Sequence, residues 1–145
     1  MKKIEHSAIT GHSAEQMYEL VNDIAKYPDF LPWCTHAKVI KTTDEEITGK
    51  LEVSKGSLKK TFSTRNILTP NKKMELLFVD GPFKHFDAVW NFDELEADAC
   101  KVSFVMEYEF DNKMLAFIAG PIFDKIGNDM VDAFIKRAGD IYREG

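Results

Sequence analysis

The amino-acid sequence predicts an α+β fold in which a curved antiparallel sheet wraps around one long C-terminal helix. Between Asn112 and Glu144, apolar residues recur at steps of three and four, the period of an amphipathic helix. From His36 to Phe110, apolar and polar residues alternate instead, which is typical of strands with one buried face. Short polar turns join these runs, and sequential strands joined by short turns favour an antiparallel meander.

Composition indicates a globular chain without an obvious membrane or secretion signal. The 145 residues fit a single domain over 1–145, and an apolar content of 44% is enough for a core. No apolar run approaches the length of a membrane span, and Glu5 follows Lys3 almost at once, so we expect a cytoplasmic protein. The net charge of −5 argues against DNA as a partner. Cys34 and Cys100 match no metal or redox spacing and are expected to be free thiols.

The first third of the chain predicts one strand and one helix. Lys3–Ile9 alternates as a strand, and Gly11 ends it. Ser13 and Gln16 then form the signature of a capping box, in which each side chain accepts a hydrogen bond from the other residue's backbone. Tyr27–Pro28 is expected to end the helix, because the residue before a proline is disfavoured in the α conformation. The apolar side of this helix holds Met17, Leu20, Val21 and Ile24.

The segment Tyr27–Cys34, which we call the hook, is apolar and contains two prolines. Two compatible interpretations follow. The hook is a rigid plug over one end of the core, or it is a lid or rim over a cavity, since loops held by a rigid scaffold often carry binding residues.

The strand region predicts an aromatic inner face that faces the C-terminal helix. Leu58–Leu68, Met74–Val79, Phe86–Phe92 and Val102–Phe110 read as strands, and the acidic stretch Glu94–Asp98 reads as a loop. Periodicity alone leaves two interpretations open, a filled core or a ligand cavity with a few polar groups. The inward positions include Phe62, Thr64, Asn66, Phe86, Trp90, Phe92, Phe104, Met106, Tyr108 and Phe110, and the helix opposes them with Phe123, Ile126, Met130 and Phe134.

Gly120–Pro121 interrupts the pattern of the last helix. Proline has no amide hydrogen to donate to the preceding turn, so the helix either kinks there or begins at Pro121 after a short separate helix. The second arrangement is the one we expect.

Catalytic signatures are not found in the sequence. It has no Gly-x-Ser-x-Gly elbow, glycine-rich phosphate loop or His-Glu-x-x-His motif, and its four histidines lie in separate elements. Cys34 could act as a nucleophile with a histidine, but a packed thiol is the favoured interpretation. A basic cluster of Lys59, Lys60, Arg65, Lys72 and Lys73 has two interpretations, a charged sheet edge that discourages aggregation or a phosphate-binding surface.

Several irregular motifs, taken in order, resemble the coenzyme Q-binding START-like family, which includes polyketide cyclase-like and lipid-transport-like proteins and a bacterial branch of ribosome association toxins. The resemblance covers nearly the whole chain. It rests on Asp23-x-x-x-Tyr27-Pro28-x-Phe30-Leu31-Pro32-Trp33-Cys34, Phe62-x-Thr64-Arg65, Asp80-Gly81-Pro82-Phe83, Trp90-x-Phe92, Tyr108-Glu109-Phe110 and Ala133-Phe134-x-x-Arg137-Ala138.

The resemblance implies a helix-grip fold with two short helices after the first strand, and a tunnel for a polyprenyl quinone such as ubiquinone or a related lipid. It implies a non-enzymatic carrier in respiration, with the hook and the Gly81–Phe83 turn at the mouth and transient contact with a membrane surface. The toxin branch implies the large ribosomal subunit as an alternative partner, and a polyketide cyclase-like enzyme is a third alternative. The expected ligand-binding residues are Phe30, Leu31, Trp33, Phe62, Thr64, Phe83, Phe86, Trp90, Phe92, Phe104, Met106, Tyr108, Phe123, Ile126, Met130 and Phe134, and the expected ribosome contacts are Lys59, Lys60, Arg65, Lys72 and Lys73.

Overall fold

The computed structural model describes residues 1–142 and shows an antiparallel sheet that curves around a long helix. The seven strands lie in the order β1-β7-β6-β5-β4-β3-β2, so all neighbours except β1 and β7 are consecutive in the chain. The strands are β1 (Lys2–Thr10), β2 (Cys34–Thr42), β3 (Glu46–Lys55), β4 (Leu58–Thr69), β5 (Lys73–Asp80), β6 (Phe83–Glu96) and β7 (Ala99–Phe110), and the helices are α1 (Ala14–Asn22), a 3₁₀ helix (Ile24–Asp29) and α2 (Lys113–Ile141). The predicted α+β helix-grip fold is confirmed.

The helix α2 packs mainly on β1 and β7, at one side of the sheet. Gly127 allows this close approach, because a Cβ at that position would lie 2.8 Å from Cδ1 of Ile4 and 2.9 Å from Cε of Met106. At the start of the helix, the Asn112 side chain accepts a hydrogen bond from the amide of Leu115 at 2.7 Å. The other half of the sheet therefore has to be filled by its own side chains.

The capping box of the first helix is confirmed, with hydrogen bonds of 3.0 and 3.1 Å between Ser13 and Gln16. The prediction that this helix continues to Tyr27–Pro28 is wrong. The α-helix ends at Asn22, and Asp23 leaves the helical conformation with a ψ of 67°. The chain then forms the 3₁₀ helix, which contains Pro28. Aspartate favours helix ends because its side chain competes with helical backbone hydrogen bonds.

The prediction of a separate helix beginning at Pro121 is also wrong, because α2 runs without interruption through Gly120 and Pro121. Proline removes one hydrogen bond, and a contact with β7 holds the helix across that point. The Tyr108 hydroxyl donates to the Asp124 carboxylate at 2.7 Å and lies 3.4 Å from the Gly120 carbonyl oxygen. The predicted end of the helix at Glu144 lies outside the described residues.

The acidic stretch predicted as a loop is largely strand. β6 continues to Glu96, where Glu94 lies opposite Cys100 and Glu96 opposite Ala99, so that a tight hairpin joins β6 to β7. Residues 93–98 are all exposed, so the acidic side chains of this hairpin remain in solvent and do not oppose pairing. Within residues 1–142, no helix is both long and apolar enough to cross a membrane.

Two glycines in sheet turns give a direct test of this arrangement. Gly81 has a φ of +147°, and a Cβ there would lie 2.5 Å from the Cβ of Phe62, whereas Gly56 has a φ of +60° and open space around it. We expect Gly81→Ala to lower the free energy of unfolding by about 2–5 kcal/mol, because strain and overpacking add. Gly56→Ala should lower it by only about 1–2 kcal/mol. Urea unfolding measures both, and equal losses would contradict the packing of Gly81 on Phe62.

Candidate ligand cavity

An apolar cavity of about 50 Å³ lies between α2 and the strands β3 to β7. This volume is far below the roughly 300–1,000 Å³ of a typical ligand pocket, so the side chains of the wall leave little free space. The side chains that surround the cavity are uncharged. They are Ile24, Tyr27, Trp33, Gly49, Leu51, Val53, Phe62, Thr64, Asn66, Met74, Leu76, Phe86, Trp90, Phe104, Met106, Phe123, Ile126 and Met130.

The position of the cavity follows from how the helix sits on the sheet. Because α2 packs on β1 and β7, the inner faces of β3 and β4 lie away from its main contact. The inward residues of β3 are small or of medium size, and Gly49 has no side chain at all. The space that remains is lined by strands on one side and by Ile126 and Met130 of α2 on the other.

Thr64 and Asn66 form a buried polar pair in the cavity wall. The Thr64 hydroxyl donates to the side-chain oxygen of Asn66 at 2.7 Å. The amide nitrogen of Asn66 lies 3.9 Å from the sulfur of Met74, and a thioether is a weak acceptor. Asn66 is only 3% exposed, so its amide is a desolvated donor that a ligand carbonyl oxygen could accept from.

An outer groove of about 430 Å³ adjoins the cavity. Its lining includes Pro32 of the hook, Gly56 of the β3–β4 turn and Ile122 of α2. Trp33 and Ile126 line both the groove and the inner cavity. These two side chains therefore separate the cavity from the outer groove, and we call them the gate.

The hook is anchored firmly beside the gate. The Tyr27 hydroxyl donates to the backbone carbonyl of Val21. Burial raises the pKa of Tyr27, and the nearby Cys34 and Asp23 raise it further by smaller amounts. The Phe30 ring packs on Phe134 with centroids 5.2 Å apart and lies 5.0 Å from the Arg137 guanidinium carbon. The hook thus contributes Tyr27 and Trp33 to the cavity wall, while Phe30 packs against α2.

The structure brings ten of the sixteen expected ligand-binding residues to the cavity wall and places six elsewhere. Phe30, Leu31 and Phe134 belong to the packing of the hook, and Phe92 stacks on the far side of Trp90. Phe83 and Tyr108 pack in a ring cluster with Phe110 and Phe123, and the Gly81–Phe83 turn lines neither cavity nor groove. Those in the wall are Trp33, Phe62, Thr64, Phe86, Trp90, Phe104, Met106, Phe123, Ile126 and Met130.

Sequence reasoning did not name several wall residues on the hook side and in β3 and β5. Leu51 and Val53 alternate with polar neighbours, so strand alternation was the signal available for them. Met74 and Leu76 flank Glu75, but Leu77 follows directly, so the signal in β5 was weaker. Gly49 gave no such signal, because its role depends on Ile24, whose Cδ1 would lie 2.9 Å from a Cβ there.

The five expected ribosome contacts do not form one patch. Lys59 and Arg65 lie on the outer side of β4, whereas Lys60 shares the parity of Phe62 near the strand's start. Lys72 and Lys73 lie at the β4–β5 turn near the opposite end, and Lys73 forms an ion pair with Glu75 at 3.0 Å.

The two cysteines are free and buried. Burial, with a smaller effect of Glu52, raises the pKa of the Cys34 thiol to about 11, and burial raises that of Cys100 to about 11 as well. A thiol is a poor nucleophile while it stays protonated. Within the described part of the chain, no cluster of three or more potential metal ligands is found.

A curved sheet that grips one C-terminal helix around an apolar cavity defines a START-like protein. The chain belongs to the polyketide cyclase/dehydrase and lipid transport family, whose model matches residues 10–135.

Relatives by sequence fall in two groups. The chain is 42% identical to the ribosome association toxin RatA of Escherichia coli K12 over 142 residues, which covers 98% of this chain and 90% of that protein. It is 32% identical to the mitochondrial coenzyme Q-binding protein COQ10 homolog B of Xenopus laevis, over 97% of this chain and 60% of that protein.

Solved structures share the fold. The Zhui aromatase/cyclase of a Streptomyces species superposes with a TM-score of 0.78 at 15% identity, covering 98% of this chain and 96% of the other. An 18 kDa protein of Caulobacter crescentus superposes with a TM-score of 0.77 at 25% identity, covering 99% and 100%.

The raised thiol pKa gives a test of the packed-cysteine interpretation. At pH 8 both thiols should remain protonated in the folded protein, so we expect iodoacetamide to label them at least tenfold more slowly than in urea-unfolded protein. Labelling should accelerate only as the pH rises toward about 11. Mass spectrometry of timed samples measures this, and fast labelling of Cys34 at pH 8 would restore it as a candidate nucleophile.

Proposed function

We propose that the whole chain is one cytoplasmic, non-enzymatic binding domain for a polyprenyl quinone or a related lipid that carries a carbonyl group. The observation that supports this most directly is the uncharged cavity with one buried amide donor, Asn66, in its wall. Burial of apolar ligand surface contributes roughly 25 cal/mol per Å², so an isoprenoid tail can supply binding free energy without any chemistry. The relative named as a coenzyme Q-binding protein supports the same ligand class.

Entry of a tail requires the cavity to widen from its closed state. Met74, Met106 and Met130 all line it, and methionine side chains are flexible enough to adapt to differently shaped contents. In this proposal the ligand enters through the outer groove, displaces the Trp33–Ile126 gate, and places its carbonyl oxygen near Asn66.

The composition of the wall argues against catalysis in the cavity. Its side chains include no carboxylate, histidine or lysine that could move a proton. The Tyr108 hydroxyl, which could also exchange a proton, donates to Asp124 and lies outside the wall. Burial raises the pKa of Tyr108, and the hydrogen bond to Asp124 raises it further. A cyclase-like reaction therefore has no support in this site, although a relative in fold is a cyclase.

Adjacent leucines on β5 provide a matched test of the cavity. Leu76 lines it, whereas Leu77 is exposed on the outer face. We expect Leu76→Trp to fill the closed cavity and to abolish co-purification of quinone or lipid, while Leu77→Trp retains it. Organic extraction and mass spectrometry measure the ligand, and circular dichroism checks the fold. Equal ligand content in two folded variants would place the ligand elsewhere.

A substitution at Asn66 tests recognition of the quinone head group separately from burial of the tail. Asn66→Leu should weaken binding of a short-chain quinone about tenfold, which corresponds to one lost hydrogen bond of about 1.4 kcal/mol. Binding of a hydrocarbon of similar length, which has no carbonyl group, should stay within about twofold. Equilibrium dialysis of both ligands provides the comparison, and parallel losses would assign Asn66 a packing role only.

A second candidate function is association with the large ribosomal subunit as a toxin that blocks subunit joining. The relatives named ribosome association toxin favour it, and so do lysines on β2 to β4 that carry no ion pair within residues 1–142. We expect the protein to co-sediment with purified large subunits at about 50 mM salt and to be released near 200 mM, since phosphate contacts depend steeply on salt. The absence of co-sedimentation at low salt would end this candidate.

A further inference from the structure

We propose that the outer face of β2, β3 and β4 is a docking surface for the phosphate backbone of RNA. We call it the lysine face, and it consists of Lys38, Lys41, Lys50 and Lys59. The choice of RNA as the anionic partner rests on the second candidate function above, whereas the location of the surface rests on the sheet.

Strand register brings the lysine face together. Lys38 on β2 lies directly opposite Lys50 on β3. Lys41 lies opposite Thr48, which in turn lies opposite Arg65 on β4. A β-bulge between Val39 and Lys41 keeps Lys41 on the outer side, since Val39 pairs with the buried Gly49. All four lysines are exposed.

This arrangement has no evident role in folding. Like charges directly opposite each other on neighbouring strands are destabilising, and Lys38 and Lys50 form such a pair. Within residues 1–142, no carboxylate lies within ion-pair distance of a lysine of this face, whereas Lys2, Lys73, Lys84 and Lys125 each have one.

The acids of this region are already engaged by other groups. Glu52 accepts from the Thr35 hydroxyl at 2.6 Å and lies 3.7 Å from His36, and Glu46 lies 3.9 Å from Arg65. The lysine face therefore lacks counter-charges of its own, and an external anion would relieve the repulsion.

Charge on the outer side of the sheet is segregated. Residues 34–69 hold seven basic and four acidic residues in a chain whose net charge is −5. Residues 83–110, which form β6, β7 and their turn, hold in contrast two basic and seven acidic residues, and Lys101 lies opposite Asp93. A nucleic acid would be repelled by that half of the sheet and attracted by the lysine face, so the field would fix one docking orientation.

The geometry favours a polyphosphate chain over a lipid surface. Opposed residues lie about 5 Å apart across strands, and alternate residues about 7 Å apart along one, so Lys38, Lys41 and Lys50 form a close group that successive phosphates can contact. Lys59 extends this group along β4, four residues from the Ser63 that opposes Lys50. The most exposed of the large apolar side chains, Phe117 and Met114, belong to the first turns of α2, whereas on β2 the exposed apolar side chain is Ile40.

The test compares two double variants that change the net charge equally. Lys38→Gln/Lys50→Gln alters the lysine face, and Lys3→Gln/Lys101→Gln alters exposed lysines of β1 and β7 on the other half of the sheet. Binding of the full chain to naked large-subunit ribosomal RNA is measured between 50 and 200 mM salt. We expect the first variant to bind more weakly and to reduce the slope of log K against log salt by about two, and the control variant to match the wild type.

The outcomes separate this surface from the ribosomal function. One outcome is that the wild type co-sediments with large subunits and binds naked RNA while the lysine-face variant binds RNA equally well. In that case the proposed location of the RNA-binding surface is wrong and the ribosomal function stands. If the wild type does not co-sediment yet its RNA binding depends on Lys38 and Lys50, the function fails and the surface stands. Equal losses in both double variants, or binding of anionic vesicles and not of RNA, would overturn the proposal.

A single charge reversal excludes loss of folding as the explanation. Lys50→Glu places opposite charges on the two strands, so its midpoint of thermal unfolding should rise while RNA binding falls. A lower midpoint would show that Lys38 and Lys50 do not oppose each other as the sheet register implies.

Discussion

The structure depends on how α2 packs over β1 and β7, the two strands at one edge of the seven-stranded sheet. The close approach at Gly127 brings α2 onto β1 and β7. A curved sheet cannot contact a single helix equally along all its strands, so the inner faces of β3 to β7 surround a small space that aromatic and methionine side chains nearly fill. The cavity is thus a consequence of the packing, and the ligand binding proposed above requires it to widen.

Because side chains alternate along a strand, the inner and outer faces of β3 and β4 differ in chemistry. Leu51 and Val53 face the cavity, while Lys50, between Gly49 and Leu51, faces outward. The proposed lipid site and the lysine face therefore lie on opposite sides of the same two strands.

Local sequence patterns predicted the parts of this protein that local rules determine. The aromatic alternation in Phe86–Phe92 and Val102–Phe110 identified the inner face of β6 and β7, and Ser13 with Gln16 identified the start of α1. The continuity of α2 through Pro121 could not be predicted from neighbouring residues in the sequence, because it involves the hydrogen bond from Tyr108 on β7 to Asp124. Apart from Lys59, the lysine face was not predicted, for the same reason, since Lys38 and Lys50 meet only through strand register.

The central claim, a quinone site between α2 and the sheet, has a direct optical test. The chain contains two tryptophans, Trp33 and Trp90, and both line the cavity. Titration with a short-chain ubiquinone should quench their fluorescence and saturate at one quinone per chain, with the signal lost in urea-unfolded protein. Quenching that rises linearly without saturation, as it does for free tryptophan in solution, would contradict a bound quinone beside these residues.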